Sequence, residues 1–164
     1  MTDYSAVRDN IIFKPSNSKT LYQRIFVVSA YGGVTNDILE HKKSGRPGIY
    51  GLFAGGENND ESWLDAMQLL KEKLHAINEK LFIDSEELES ANNFIDERLN
   101  AAQTCLTDLQ RLCQHGHFSL AKHLDSVREM LASIGEVHSA WGTAALLKRD
   151  GINACFVDLS GWKE

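Results

Sequence analysis

The sequence predicts an α/β fold that is rich in helix and built around a long helical hairpin. Three observations carry this expectation. Ile25-Phe-Val-Val28 is an apolar run without alternation, as in a strand covered on both faces of a parallel sheet. The run ends abruptly at a small polar residue and two adjacent glycines, Gly32 and Gly33. A second short apolar run, Ile152-Asn-Ala-Cys-Phe-Val157, follows only after a long stretch of helical periodicity. Strand, helices and strand in this order form an α/β crossover, expected to be parallel and right-handed.

The elements follow in order. From Asp3 to about Phe13, Ala6, Val7, Ile11 and Ile12 recur at helical spacing, and Pro15-Ser-Asn-Ser18 is a polar turn before the first strand. Gly32 and Gly33 allow close approach of backbone to a ligand. The helix expected from about Val34 to Lys43, stopped by Ser44-Gly45-Arg46-Pro47, would aim its free N–H groups at an anion. Gly55-Gly-Glu-Asn-Asn-Asp60 is a second break. Beyond it Trp63, Met67, Leu70, Leu74, Ile77 and Leu81 form a narrow helical stripe.

Asp84 is an N-cap candidate, with Glu87 three residues later in the reciprocal capping arrangement. Leu88, Ala91, Ile95, Leu99, Ala102, Leu106, Leu109 and Cys113 then continue helical spacing to a stop at His115-Gly116. Two long helices over about 62–114, joined by a short turn, should pack as an antiparallel hairpin. Ser119 can cap a helix running through Leu131 towards Ile134-Gly135-Glu136. A further helix is expected from Val137 to the Asp150-Gly151 stop.

The 164 residues make one domain, long enough to bury a sizeable core. A net charge of −6 and a pI near 5.5 give no electrostatic reason to expect nucleic acid or an anionic membrane as partner. Cys105, Cys113 and Cys155 are odd in number and lack CxxC spacing. They read as reduced, mostly buried thiols of a cytoplasmic protein, and no metal site is suggested. No charged-then-apolar leader and no apolar run near the length of a membrane span occurs, which argues against secretion or insertion.

Val28-Ser-Ala-Tyr-Gly-Gly-Val-Thr-Asn36 resembles the second glycine loop of the amino acid kinase superfamily, in its aspartokinase form Val-Ser-Ala-x-x-Gly-Val-Thr-Asn. Ser133-Ile-Gly-Glu-Val-His-Ser139 is similar to that family's Ser-x-Gly-Glu-x-x-Ser element, and Phe156-Val-Asp158 to the strand that follows it. Glu40-His-Lys-Lys43 with Pro47-Gly-Ile-Tyr50 resembles a bacterial monofunctional branch, some of whose members accompany ectoine synthesis.

The resemblance implies a partial αβα sandwich of the amino acid kinase type. It also implies phosphoryl transfer from ATP with Mg2+ to the side-chain carboxylate of L-aspartate, giving 4-phospho-L-aspartate for lysine, threonine and methionine or for ectoine. Carried over residue by residue, Ser29 would contact the reacting carboxylate or the moving phosphoryl group, as the catalytic candidate. The backbone around Ala30, Gly32 and Gly33 would cradle phosphate. Thr35 would hydrogen-bond the substrate carboxylate, and Glu136, at a helix start, would pair with the ammonium of aspartate.

The chain also departs from the family pattern. It lacks the Lys-x-Gly-Gly-Thr-Ser loop that opens such domains, the downstream Arg-Gly-Gly-Ser-Asp-like segment, the nucleotide-binding half and the paired regulatory domains. Residues 1–164 therefore read as a partial catalytic domain, its amino-acid-binding portion, expected to be inactive alone. Each candidate has a plainer role open to it. Gly32-Gly33 can be a tight turn, Ser29 and Thr35 can be cap and turn residues, and Glu136 can be a first-turn glutamate favoured by the helix dipole. The alternative for the whole chain is a helical module that mediates self-association. Strands without neighbours would expose edges that a second copy can cover, which supports this second reading in one respect and leaves a homodimer open.

Overall fold

The computed structural model describes residues 4–13, 23–56 and 61–161. The Pro15–Ser18 turn and most of the break that ends at Asp60 lie outside the described residues.

The long helices follow the stripes that the sequence lays down. Helix α4 (Ser62–Leu81) buries Trp63, Met67, Leu70 and Leu74. Helix α5 (Ser85–Cys113) buries Ala91, Ile95, Leu99, Ala102 and Leu106. Asp84 starts α5: its Oδ1 accepts the N–H groups of Glu86 at 2.9 Å and Glu87 at 3.1 Å. The reciprocal half of the cap is not made, because Glu87 Oε2 is buried without a partner. Asp96 of α5 takes both Lys71 (2.9 Å) and His75 (2.7 Å) of α4. Asn78 Nδ2 donates to Asn92 Oδ1 at 2.9 Å. Rising positions on α4 thus meet falling positions on α5, which makes the pair antiparallel.

Helix α6 (Leu124–Arg149) follows a 3₁₀ turn at Leu120–Lys122 and packs against α5 of the hairpin. It is continuous through Ile134-Gly135-Glu136, where the sequence predicts a break. A mid-helix glycine costs about 1 kcal/mol relative to alanine. Here that cost is offset by packing, because a Cβ on Gly135 would lie 2.8 Å from Ala30 Cβ and 2.9 Å from Val34 Cγ1.

Three short helices complete the layer: α1 (Tyr4–Val7), which continues as a π-helical turn at Arg8–Ile12, α2 (Val34–Ile38) and α3 (Ile49–Gly55). The helix expected from Val34 to Lys43 therefore stops early. The chain reverses instead, with Gly48 N–H donating to Leu39 C=O at 2.9 Å and an isolated antiparallel bridge between Glu40 and Pro47. A Cβ on Gly48 would lie 2.4 Å from Asp37 O, so only glycine lets the returning chain pass that close.

The main core gathers Val34, Ile38, Ile49, Phe53, Trp63 and Leu70 with the buried faces of α5 and α6. Phe53 meets Trp63 edge-on at 5.6 Å. A second cluster joins Tyr4 and Ile12 of the first helix to Phe82, Leu146, Leu147 and Ile152. It is fastened where Tyr4 Oη and Arg8 Nη1 donate to Asp150 Oδ2 at 3.0 and 2.9 Å. Among the described residues no helix is long and apolar enough to cross a membrane.

The α/β expectation is overturned. Among the described residues there is no strand and no sheet, so no αβα sandwich and no parallel crossover form. Residues 24–30 and 152–159 take no regular secondary structure and pair with nothing in a ladder. The apolar run read as doubly covered is bare at alternate positions, with Ile25 at 95 % and Val27 at 94 % exposure, while Phe26 is 41 % exposed and Val28 half-buried. A strand satisfies its backbone only through a neighbour, and no segment among the described residues supplies one. The cysteines differ from expectation as well: all three are free thiols, but Cys105 and Cys155 are exposed and Cys113 is half-buried.

Candidate active site

The sharpest local feature is the turn at Tyr31-Gly-Gly-Val34. Val34 N–H donates to Tyr31 C=O at 3.1 Å, and Gly33 takes φ +81°, a left-handed conformation that a side chain would strain. Gly32 and Gly33 are exposed while Ala30, Tyr31 and Val34 are buried. The turn therefore presents bare backbone outward and rests on apolar groups inward.

Its seat is α6. Gly135, His138, Ser139 and Gly142 lie at helical spacings of three and four and so share one face. Ala30 and Val34 fill the notch at Gly135. Tyr31 lies edge-on to His138, ring centroids 5.3 Å apart, and its hydroxyl is 3.2 Å from where a Gly142 Cβ would stand. Burial pushes the Tyr31 hydroxyl up to about 12. Burial, with His75 nearby, pushes His138 down to about 4, so that ring is neutral. Its Nε2 lies 2.7 Å from Asn78 Oδ1. Since that oxygen only accepts, Nε2 carries the proton and Nδ1 is the bare nitrogen.

Around this seat the Tyr31 hydroxyl faces that of Ser139, while Glu136 Oε2 and His138 Nδ1 are buried without a hydrogen-bond partner. Buried polar groups are ordinarily paired, and an orphan costs about 1–3 kcal/mol. Glu136 follows Gly135 directly and so lies about 100° round the helix from it, beside the turn's contact surface and not beneath it. It is half-buried.

The candidates fall into two groups. Ala30 packs at Gly135 of α6, Gly33 lies against Lys73 of α4 with Gly32 exposed beside it, and Glu136 adjoins Gly135 in sequence. Ser29 is exposed and Thr35 half-buried, and no hydrogen bond joins either side chain to Glu136. Glu136 stands in mid-helix, so the expected stabilisation from a helix start does not apply to it. Helix α2 is five residues long, so its dipole is small; the positive charge at the turn comes from elsewhere. Lys73 of α4 sets its Nζ 2.9 Å from where a Gly33 Cβ would be, and 2.5 Å from Asp37 Oδ2. Sequence reasoning missed Lys73. It flanks the buried stripe as an ordinary surface lysine would, and nothing local links position 73 to position 33.

This geometry offers an exposed glycine turn with an ammonium group against it and, on the helix that seats the turn, a carboxylate oxygen lacking a partner. Such a set suits a small ligand with both negative and positive charge. No protein-family model matches the sequence, and no solved structure matches it. The chain is 46 % identical over all 164 residues to a protein of Stutzerimonas stutzeri (strain A1501), aspartate kinase Ask_Ect. It spans 34 % of that relative's length.

Proposed function

We infer, from a chain that belongs to the aspartate kinase family along its whole length, that residues 1–164 form the amino-acid-binding portion of such a kinase's catalytic domain. The reaction of the complete enzyme is the transfer of a phosphoryl group from ATP to the side-chain carboxylate of L-aspartate. One observation carries the reading: Glu136 keeps a buried carboxylate oxygen without a donor, next to the residue that seats the glycine turn. The ammonium of aspartate supplies that donor.

Phosphoryl transfer asks little covalent work of the protein. It depends on holding two anions in line and offsetting charge as the phosphoryl group moves. The bare backbone at Gly32 and Gly33 receives the negative end of the substrate, with Ala30 holding the turn in place. Lys73 places positive charge against that turn, and its bond to Asp37 fixes where the ammonium sits. Ser29 and Thr35, which leave hydroxyls near the turn, contact the reacting carboxylate and the substrate carboxylate.

No group of three His, Cys, Asp or Glu side chains gathers among the described residues. The complete enzyme would use ATP with Mg2+, and would serve lysine or ectoine biosynthesis in the cytoplasm. Loss of one preorganised donor costs about 10²–10³ in rate. With the nucleotide half missing, the chain alone should bind aspartate weakly and turn over no ATP.

Calorimetric titration with L-aspartate tests the reading. Saturable binding that Glu136→Ala abolishes is expected, and equal binding by both proteins would end it. A second reading, a self-association module, rests on the apolar side chains left bare at Ile25, Val27, Val157 and Leu159. A dimer in sedimentation equilibrium, with no heat from aspartate, would favour it.

A further inference from the structure

Helix α6 lines a second hollow well away from the glycine turn. Trp141 to Arg149 lie about 10–20 Å along the axis from Gly135, at 1.5 Å per residue. There a cavity of about 580 Å³ opens between the start of α5 and the end of α6. This is within the ordinary size of small-molecule sites. Its apolar wall is aromatic: Phe82, Trp141 and Phe156 line it. Phe94 stacks on Trp141 at 4.8 Å and meets Phe156 edge-on at 5.8 Å, so two of these rings are held from behind.

Besides Ser90, Ala144 and Ala145, the rest of the lining is four charged side chains. Glu86 and Glu87 face the cavity from α5, Lys148 and Arg149 from α6, and no ion pair joins an acid to a base across it. Arg149 is engaged outside the cavity, by Asp150 at 3.4 Å and by the Leu81 carbonyl at 3.1 Å. Lys148 is exposed and makes no ion pair. Glu87 has one carboxylate oxygen buried with no donor, a deficit that a cation beside the same carboxylate would relieve. The lining thus carries carboxylates from α5, cationic groups from α6 and an aromatic surface, with no ion pair between the acids and the bases.

We propose that this cavity binds a small zwitterion with an apolar or aromatic body, of the α-amino acid class. Its ammonium group pairs with Glu87, its carboxylate pairs with Lys148, and its body lies on Trp141 and Phe82. The site is separate from the glycine turn and does not depend on the kinase reading.

L-Phenylalanine is a suitable probe for the 164-residue chain, followed by calorimetry and by the nuclear magnetic resonance shift of the Trp141 indole. Phenethylamine and 3-phenylpropionate each present one half of the charge pattern. Saturable binding of phenylalanine is expected, with each half-molecule at least tenfold weaker. Glu87→Gln and Lys148→Met should each weaken phenylalanine at least tenfold without loss of helical circular dichroism, while Glu136→Ala leaves it unchanged. Equal affinity for phenylalanine and 3-phenylpropionate, no saturable shift at Trp141, or indifference to both wall variants would overturn the proposal.

Discussion

The helical layer and the two segments without regular structure have similarly apolar sequences and opposite fates. Leu74 on α4 is fully buried, whereas Val27, in a run at least as apolar, is 94 % exposed. The difference lies in where each backbone finds its hydrogen bonds. A helix satisfies its N–H and C=O groups within itself, so an apolar stripe needs only one partner surface to become core. An extended run needs a neighbour on each side as well as cover above and below. Apolar composition alone does not make a core position.

The strongest way to break the contrast is to remove the same kind of group from each region. Leu74→Ala empties a site in the main core, and substitutions of this kind cost about 2–5 kcal/mol. Urea unfolding should show a loss in that range. A loss below about 1 kcal/mol would mean that α4 is not packed as described.

Acid titration probes the same layer from its polar side. His138 is neutral and buried, its folded pKa near 4 against an ordinary value of 6.5. Between those values the unfolded chain binds a proton that the folded chain refuses, so stability is complete above about pH 6.5 and is lost as pH falls towards 4. The linkage sets an upper figure of roughly 3 kcal/mol. Unfolding free energies measured from pH 7 to pH 4 should show this slope, and His138→Gln should flatten it. An unchanged slope in the variant would assign the acid sensitivity elsewhere.

The same contrast marks what the sequence made legible. α4, α5 and the cap at Asp84 could be read because a 3.6-residue period and a first-turn bond are local facts. The break expected at Gly135 was wrong for a long-range reason: the absent side chain makes room for Ala30 and Val34, residues far away in sequence. The helix after the glycine turn is shorter than its sequence predicts, since nothing local shows that Gly48 must pass against Asp37. The sheet was misjudged because a strand-like run declares its own conformation and not whether a partner exists. At the candidate site the turn and Glu136 were visible as motif residues, while Lys73 became visible only when α4 was folded beside the turn.

Gly33→Ala sharpens the comparison within the site, at a smaller scale. A left-handed φ costs a residue with a Cβ about 1 kcal/mol. The new methyl group would also press on Lys73 Nζ, the free end of a flexible side chain that can swing away. Stability should therefore fall by about 1 kcal/mol, while aspartate affinity falls further because the ammonium group has left the turn. In a Lys73→Met background the same glycine change should cost no additional affinity. A full additional loss there would separate Lys73 from the turn's function.

Val27→Ser should have the smallest effect and is the most direct comparison of all. With its side chain almost wholly in water, the change should alter the stability of the 164-residue chain by no more than about 0.5 kcal/mol. The proposed membership of a larger catalytic domain makes a different demand of the same residue. If the rest of an aspartate kinase lays strands beside residues 24–30, Val27 enters a core, and burying such a side chain is worth about 1.5–3 kcal/mol. The substitution should then be neutral in this chain and cost at least 1 kcal/mol in a protein that carries the remaining two-thirds of the family's length. Equal effects in both would mean that the segment stays exposed in the longer protein, and that its apolar character serves something other than a sheet.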